Sequence, residues 1–119
     1  MNFDNTMPIY IQVIQQIKRE MIRGELPPGE KMPSARDLAL KYQINPNTAN
    51  RIYKELEAEE LVFTKRGLGT YVTEEPKVLV RIREEIAEKQ LQEFITQMKS
   101  IGFSKEELLQ FVAAEYDKM

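Results

Sequence analysis

Side chains suited to reading a nucleic acid are concentrated between residues 47 and 51. Asn pairs with adenine through two hydrogen bonds, Thr offers a hydroxyl and a methyl group, and Arg suits guanine or phosphate. The segment supplies all three types, in Asn47, Thr48, Asn50 and Arg51. We interpret it as a candidate DNA reader. An ordinary helix start with solvated polar residues is the alternative, which the segment alone leaves open.

Two further groups offer contacts to phosphate. Ser34 and Arg36 stand where a helix is expected to begin, and free backbone N–H groups and the helix dipole attract anions there. A plain helix cap beside a solvated Arg explains these two residues equally well. Lys65, Arg66 and Gly67 lie between two short β-prone runs. Two cations at a hairpin tip suit phosphates or a narrow minor groove.

The composition excludes most catalytic chemistry. The chain contains no His and no Cys, which removes the commonest general base, the commonest metal ligands and every disulfide. It also lacks a Gly-rich phosphate cradle, and acidic pairs such as Glu84-Glu85 are typical of solvated helix faces. We therefore predict a protein that is not an enzyme and that uses no metal and no cofactor.

The N-terminus lacks the basic start and apolar stretch of a signal peptide, so we expect a cytoplasmic location.

The net charge of −2 argues mildly against a nucleic-acid partner, because such domains usually are basic. The cations are unevenly distributed, however. Those between residues 31 and 54, opposed only by Asp37, are Lys31, Arg36, Lys41, Arg51 and Lys54.

Helix signals surround the polar segment. Pro8 is expected to start a first helix, and Gly24 to end it in a left-handed conformation. Residues 26–30, with two Pro and one Gly, predict a turn or a rigid connector. A first amphipathic helix is therefore followed by an abrupt change of chain direction.

The second and third predicted helices are joined by a very short turn at residues 43–44. Ser34 caps the second helix, with Asp37 as an acidic partner in a capping box. Asn45 caps the third helix, and Pro46 occupies its first position. Two helices joined so closely are typical of a helix-turn-helix.

A β-hairpin is predicted after the third helix. Residues 61–64 and 70–73 are β-branched and aromatic, and a loop with two Gly lies between them at residues 65–69. The fold class is therefore mainly α with a small β-hairpin, and residues 1–75 are predicted to form a winged helix-turn-helix DNA-binding domain.

Residues 76–119 are predicted to form a helical dimerisation segment. A long helix over residues 77–101 ends at Gly102, and Ser104 with Glu107 forms a capping box for another helix. This helical hairpin carries more apolar surface than two helices bury between themselves, so we expect it to pair with a second copy. Packing onto its own winged domain is the alternative. The expected interface residues are Leu79, Ile82, Ile86, Leu91, Phe94, Met98, Leu108, Leu109 and Val112.

Residues 8–72 resemble the DNA-binding domain of the GntR family of bacterial transcription regulators. The resemblance rests on spaced matches across the whole stretch rather than on one motif. The matching residues are Pro8-Ile9-Tyr10, Gln12, Gly24-Glu25-Leu26, Pro28-Gly29-Glu30, Met32-Pro33-Ser34, Arg36, Leu38-Ala39, Asn45-Pro46-Asn47-Thr48, Tyr53, Leu56, Gly67 and Gly69-Thr70-Tyr71-Val72.

The resemblance implies a wing tip around Gly67 in or over the minor groove of DNA. It also implies DNA contacts from Ser34, Arg36, Asn45, Pro46, Asn47, Thr48, Asn50 and Arg51. The short C-terminal segment resembles the YtrA-type branch, in which such a segment serves dimerisation. The implied function is a homodimeric repressor of an inverted-repeat operator in double-stranded DNA, with a transporter operon as a suggested target.

One departure from the family pattern concerns Glu60, where many members have Gly. Gly there would give an easy left-handed exit from the recognition helix, so the angle at which the wing begins is open. A second functional hypothesis also remains, in which the winged domain binds a basic protein partner and no specific DNA.

Overall fold

A computed structural model describes all residues, 1–119. It contains five helices and one antiparallel β-hairpin, which confirms the predicted fold class. No helix is both long and apolar enough to cross a membrane. The elements in chain order are α1 (Ile9–Ile22), α2 (Ala35–Tyr42), α3 (Pro46–Ala58), β1 (Val62–Lys65), β2 (Gly69–Val72), α4 (Pro76–Ser100) and α5 (Lys105–Lys118).

The chain divides into two compact units, Met1–Arg83 and Glu84–Met119. The division falls within α4 and not at its start, because Val78 and Ile82 are buried and belong to the first unit. The predicted boundary at residues 75–76 therefore marks the beginning of α4, and the compact units separate later in the same helix.

The core of the first unit is built from one apolar side of each of its first three helices. Burying a Val, Leu, Ile or Met side chain stabilises the fold by about 1.5 to 3 kcal/mol, so these sides determine how the helices pack. In α3 the buried side is completely inaccessible to solvent. The buried residues of the three helices are Gln12, Val13, Ile14, Ile17 and Met21; Leu38, Ala39 and Tyr42; and Ala49, Ile52 and Leu56.

The helix ends agree with the local sequence signals. Gly24 has φ 81° and closes α1, and the Asn45 side chain accepts a hydrogen bond of 2.7 Å from the Asn47 N–H at the start of α3. The Ser34 hydroxyl likewise accepts from the Asp37 N–H at 3.1 Å. The Ser34 N–H does not donate to the Asp37 carboxylate in return, so the predicted capping box is only half formed at α2.

Two residues other than Gly adopt left-handed backbone, one before α3 and one after it. Gln43 has φ 55° in the turn between α2 and α3, and Glu60 has φ 65° after α3. At Glu60 the chain forms a complete C-terminal motif, with its own N–H bonded to the Glu57 carbonyl and the Leu61 N–H bonded to the Leu56 carbonyl, both at 2.9 Å. Leu56 and Leu61 are completely buried, and their packing holds the strained exit in place.

Each strand of the hairpin is shifted by one residue from its predicted bounds, and a third chain segment pairs with β2. Lys65 pairs with Gly69, which leaves residues 66–68 as the turn. Residues 29–32 pair with the free edge of β2, so the segment predicted as a turn or connector, residues 26–30, leads into this pairing. The Met32 N–H donates to the Thr70 carbonyl at 2.7 Å, and the Val72 N–H donates to the Glu30 carbonyl at 2.8 Å.

Glu84–Met119, the second unit, contains the rest of α4 and all of α5. Gly102 has φ 91° after α4, and Ser104 and Glu107 form the complete predicted capping box of α5. Phe103 and Phe111 make an edge-to-face contact with ring centroids 5.6 Å apart. No residue of this unit is buried.

Replacing Glu60 with Gly tests the strain at the end of α3. Gly adopts the left-handed conformation without a Cβ penalty, so we expect Glu60→Gly to raise the free energy of unfolding by about 0.5 to 1 kcal/mol. Ala58→Gly is the matched control. Ala58 is the last residue of α3, so Gly there should lower the free energy of unfolding by about 0.5 to 1 kcal/mol. Urea unfolding of both variants measures the difference, and a shift of the same sign in both would contradict the explanation.

Candidate nucleic-acid interface

One side of α3 is free to contact another molecule. Its exposed residues recur at three- and four-residue intervals, opposite the buried side of Ala49, Ile52 and Leu56. Asn45 and Pro46 are exposed at the start of the helix, while Thr48 is half-buried. The exposed residues that follow in α3 are Asn47, Asn50, Arg51, Lys54, Glu57 and Ala58.

A cleft of about 420 Å³ lies between α3, the beginning of α2 and the hairpin. Asn50 and Lys54 line it from α3, Ser34 lines it from the α2 cap, and Thr64 and Thr70 line it from the two strands. The elements predicted to contact DNA therefore meet around one cleft.

Two hydrogen bonds hold the walls of this cleft together. The Thr64 hydroxyl donates to Glu57 Oε2 at 2.7 Å, which ties the hairpin to α3. The Tyr53 hydroxyl donates to the Pro33 carbonyl, which ties the residue before the α2 cap to α3. Burial raises the pKa of Tyr53, so its hydroxyl keeps the proton that it donates.

Lys65 lies on the face of the hairpin that is turned away from α3. Thr64 points toward Glu57, and because side chains alternate along a strand, Lys65 lies on the opposite face. Its ammonium lies 4.6 Å from the ring centroid of Tyr71 and 5.5 Å from that of Phe63. Lys65, predicted from its position in the loop, is therefore held by an aromatic pair at the end of β1.

The turn of the hairpin presents Arg66 and Gly67 to solvent. Gly67 has φ 77°, and the Leu68 N–H donates to the Lys65 carbonyl at 2.9 Å. The left-handed conformation at residue 67 is one that Gly adopts without strain. Arg66 is in no ion pair.

Lys31 also belongs to this surface, although the sequence indicates only that it is one of the cations between residues 31 and 54. Lys31 pairs with Tyr71 along the edge of β2, and its side chain crosses Gly69. A Cβ on Gly69 would lie 2.9 Å from Lys31 Cε, so a larger residue at position 69 would displace the lysine. No local signal indicates this, because it depends on pairing between residues 40 positions apart.

Lys54 is a second residue of this surface that was not among the predicted DNA contacts. It is exposed, it lines the cleft and it forms no ion pair. The signal was available, since Lys54 follows Asn50 and Arg51 at helical spacing and so shares their side of α3.

Arg51 is more constrained than an ordinary exposed arginine. Its Cζ lies 3.7 Å from the ring centroid of Tyr10 in α1, and one of its terminal nitrogens donates to the Tyr10 hydroxyl at 2.8 Å. Its Nε lies 3.4 Å from Glu55 Oε1. Arg36, in contrast, is exposed and forms no ion pair.

The predicted interface residues of the C-terminal segment differ in exposure. Ile82 is only 2% exposed in the single chain, so it is a core residue of the first unit and offers no surface to a second copy. The sequence indicates that this position is apolar but not what covers it. Leu79, Ile86, Met98 and Leu108 are half-buried, and the exposed members are Leu91, Phe94, Leu109 and Val112.

Comparison with known proteins gives a consistent assignment. Residues 9–72 match the family model for bacterial regulatory proteins of the gntR family. The uncharacterized HTH-type transcriptional regulator YhcF of Bacillus subtilis is 39% identical over 108 residues, which cover 91% of this chain and 89% of that protein. The HTH-type transcriptional repressor YtrA of the same organism is 39% identical over 109 residues, with 91% and 84% covered.

A solved structure is similar over nearly the whole chain. It is a GntR family transcriptional regulator from Listeria monocytogenes, 37% identical, with a TM-score of 0.87. The match covers 94% of this chain and 98% of that one.

Removing the Tyr53 hydroxyl tests the link between α3 and the α2 cap. We expect Tyr53→Phe to lower the free energy of unfolding by about 1 kcal/mol, because the Pro33 carbonyl loses its partner. Tyr116→Phe is the matched control, since Tyr116 is 78% exposed and makes no hydrogen bond through its hydroxyl. Chemical unfolding of both variants makes the measurement, and equal losses would show that the hydrogen bond contributes nothing specific.

Proposed function

This chain belongs to the GntR family of bacterial regulatory proteins, and from that premise we propose that it is a homodimeric repressor that binds an inverted-repeat operator. It is a DNA-binding transcriptional regulator, as its relatives are. The observation that carries the proposal is the exposed polar side of α3, which stands beside a cleft whose other walls are the α2 cap and the hairpin.

In the proposed complex α3 enters the major groove. Asn47 and Asn50 lie near its N-terminus on the exposed side and reach base edges, where an Asn side chain discriminates adenine by two hydrogen bonds. The hairpin tip reaches the neighbouring minor groove. The proposed DNA-contacting residues are Ser34, Arg36, Asn45, Pro46, Asn47, Thr48, Asn50, Arg51, Lys65, Arg66 and Gly67, to which we add Lys31 and Lys54.

In this arrangement the cleft between α3 and the hairpin holds a strand of the DNA backbone. A strand of phosphates always separates a major groove from the adjacent minor groove. If α3 occupies one groove and the hairpin the other, that strand must cross the cleft between them. Lys54 lines this cleft without an opposing ion pair, and Ser34 lies at the start of α2, which supports a phosphate contact there.

A second copy of the chain completes the proposed regulator. The unit Glu84–Met119 buries none of its own side chains, and an isolated helical pair of this kind needs a partner surface to be stable. A two-fold dimer also matches a two-fold operator. The proposed interface uses the exposed set of Leu91, Phe94, Leu109 and Val112 together with half-buried Leu79, Ile86, Met98 and Leu108, but not Ile82.

The proposed mechanism is occlusion of a promoter by the bound dimer, in the cytoplasm where bacterial DNA is found. The resemblance to the YtrA-type branch supports a transporter operon as the target. With a net charge of −2, non-specific attraction to DNA is weak, so base contacts and the spacing of the two half-sites supply most of the selectivity.

Selection of bound duplexes from a random pool tests the proposed DNA recognition. The wild-type protein should return an inverted repeat. We expect Asn50→Ala to relax the preference at one base pair of each half-site, at a cost of about 1 to 3 kcal/mol for the preferred base. Lys31→Gln should instead weaken binding to every duplex. The slope of log K against log salt concentration should fall in magnitude by about 0.9.

Lys89→Gln is the control for that experiment, because it removes the same charge from the second unit. It should change neither the preference nor the slope. Absence of duplex binding by the wild-type protein, with retained binding of a basic protein partner, would favour the interaction module instead.

A single charge in the C-terminal unit tests the dimer. Leu109→Glu should convert the dimer into a monomer in sedimentation equilibrium, because a carboxylate is costly to bury in an apolar interface. Leu40→Glu is the matched control, since Leu40 lies in α2 and is 69% exposed against 60% for Leu109. It should leave the dimer intact. A monomeric wild-type protein, or two variants that behave alike, would contradict the proposed interface.

A further inference from the structure

Arg51 and Tyr10 form a composite group on one flank of α3. We propose that they bind a phosphate of the DNA backbone, with Tyr10 positioning the guanidinium, so that Arg51 is not a reader of bases. The inference rests on the proposed function, because it requires α3 to lie in the major groove. It also assigns a role to Tyr10, which the sequence indicates only as one of the residues that match the family pattern.

Arg51 lies on the flank of α3 that faces α1. Asn50 lines the cleft on the hairpin side, whereas Arg51 contacts Tyr10 on the α1 side. Asn47 and Lys54 lie between these two flanks on the helix surface. Because Arg51 is held against α1, it faces the phosphate strand that borders the major groove on that side. The Asn50 side chain makes no hydrogen bond within the protein and is free to turn toward a base edge.

The Arg51 side chain already makes one hydrogen bond and one ion pair within the protein. A bidentate pair with guanine requires two parallel N–H donors that extend into the groove. In Arg51 the Nε faces Glu55 at 3.4 Å and a terminal nitrogen is bonded to Tyr10 at 2.8 Å. The guanidinium is also stacked on the Tyr10 ring, with 3.7 Å between Cζ and the ring centroid. Its free donors therefore have a fixed direction beside α1.

The Tyr10 hydroxyl is a second hydrogen-bond donor beside the guanidinium of Arg51. It accepts the hydrogen bond from Arg51, so its own proton remains available for a further acceptor. The guanidinium remains accessible, with 58% of the side chain exposed. Two donors of different residues, one of them charged, thus converge on one flank, and an anionic oxygen with several lone pairs accepts from both.

Arg51→Ala separates a phosphate contact from a base contact. We expect it to weaken binding to the selected operator and to a scrambled duplex by a similar factor, about tenfold. The slope of log K against log salt should fall by about 0.9, as for one lost phosphate contact. The base preferences returned by a random pool should stay unchanged. An altered preference at one base pair with an unchanged slope would overturn the proposal.

Two control variants show whether the expected effects are specific to Arg51. Asn50→Ala, one position earlier on the hairpin side, should relax a base preference without changing the slope. Lys89→Gln removes one charge from the second unit and should change neither. Wild-type protein that binds no duplex would refute the proposed function itself, whereas an operator-binding protein whose preference depends on Arg51 would refute only this inference.

A double-mutant cycle tests the positioning role of Tyr10. Tyr10→Leu removes the stack and the hydroxyl, and Tyr10→Phe removes the hydroxyl alone. Both should weaken operator binding in the wild-type background, Tyr10→Leu more strongly, and both should cost less when Arg51 is already Ala. Equal costs in the two backgrounds would show that Tyr10 acts independently of Arg51 and would overturn the positioning role. Thermal unfolding of Tyr10→Phe verifies that the fold is retained.

Discussion

The burial of one side of α3 is the constraint on which the recognition surface depends. Ala49, Ile52 and Leu56 have no solvent exposure, so the helix cannot rotate without opening the core. With these residues fixed, Asn47 and Asn50 must face outward, and the hairpin and the α2 cap are held beside them by Glu57 and Tyr53. The same packing that stabilises the fold therefore orients the proposed DNA-reading residues.

Both ends of α3 depend on left-handed residues that are not Gly. Gln43 determines the turn from α2, and Glu60 determines the departure toward the hairpin. Each conformation costs on the order of 1 kcal/mol and is retained because the flanking apolar residues pack only when the chain turns there. The geometry of the winged domain thus includes a small amount of strain on each side of the helix that enters DNA.

The distribution of charge reconciles a chain with a net charge of −2 with a DNA-binding role. The acidic residues at the end of α3 have partners within the protein: Glu55 faces Arg51, Glu57 accepts from Thr64, and Glu59 pairs with Lys18 at 2.9 Å. Lys31, Lys54 and Lys65 form no ion pairs and lie around the cleft and the hairpin. The local surface is therefore more basic than the whole chain.

The sequence by itself determined the features that arise from interactions within a few residues. The Asn45 cap, the glycine at position 102 and the Ser104 capping box were all predictable, because each bond joins neighbours in the chain. Only the tertiary structure decided that Lys31 crosses Gly69, that Ile82 is a core residue, and that Arg51 stacks on Tyr10, 41 positions away. Residue types and spacing indicate which side chains are apolar or charged, but the partner of a side chain across the fold depends on how the buried sides of separate helices and strands pack together.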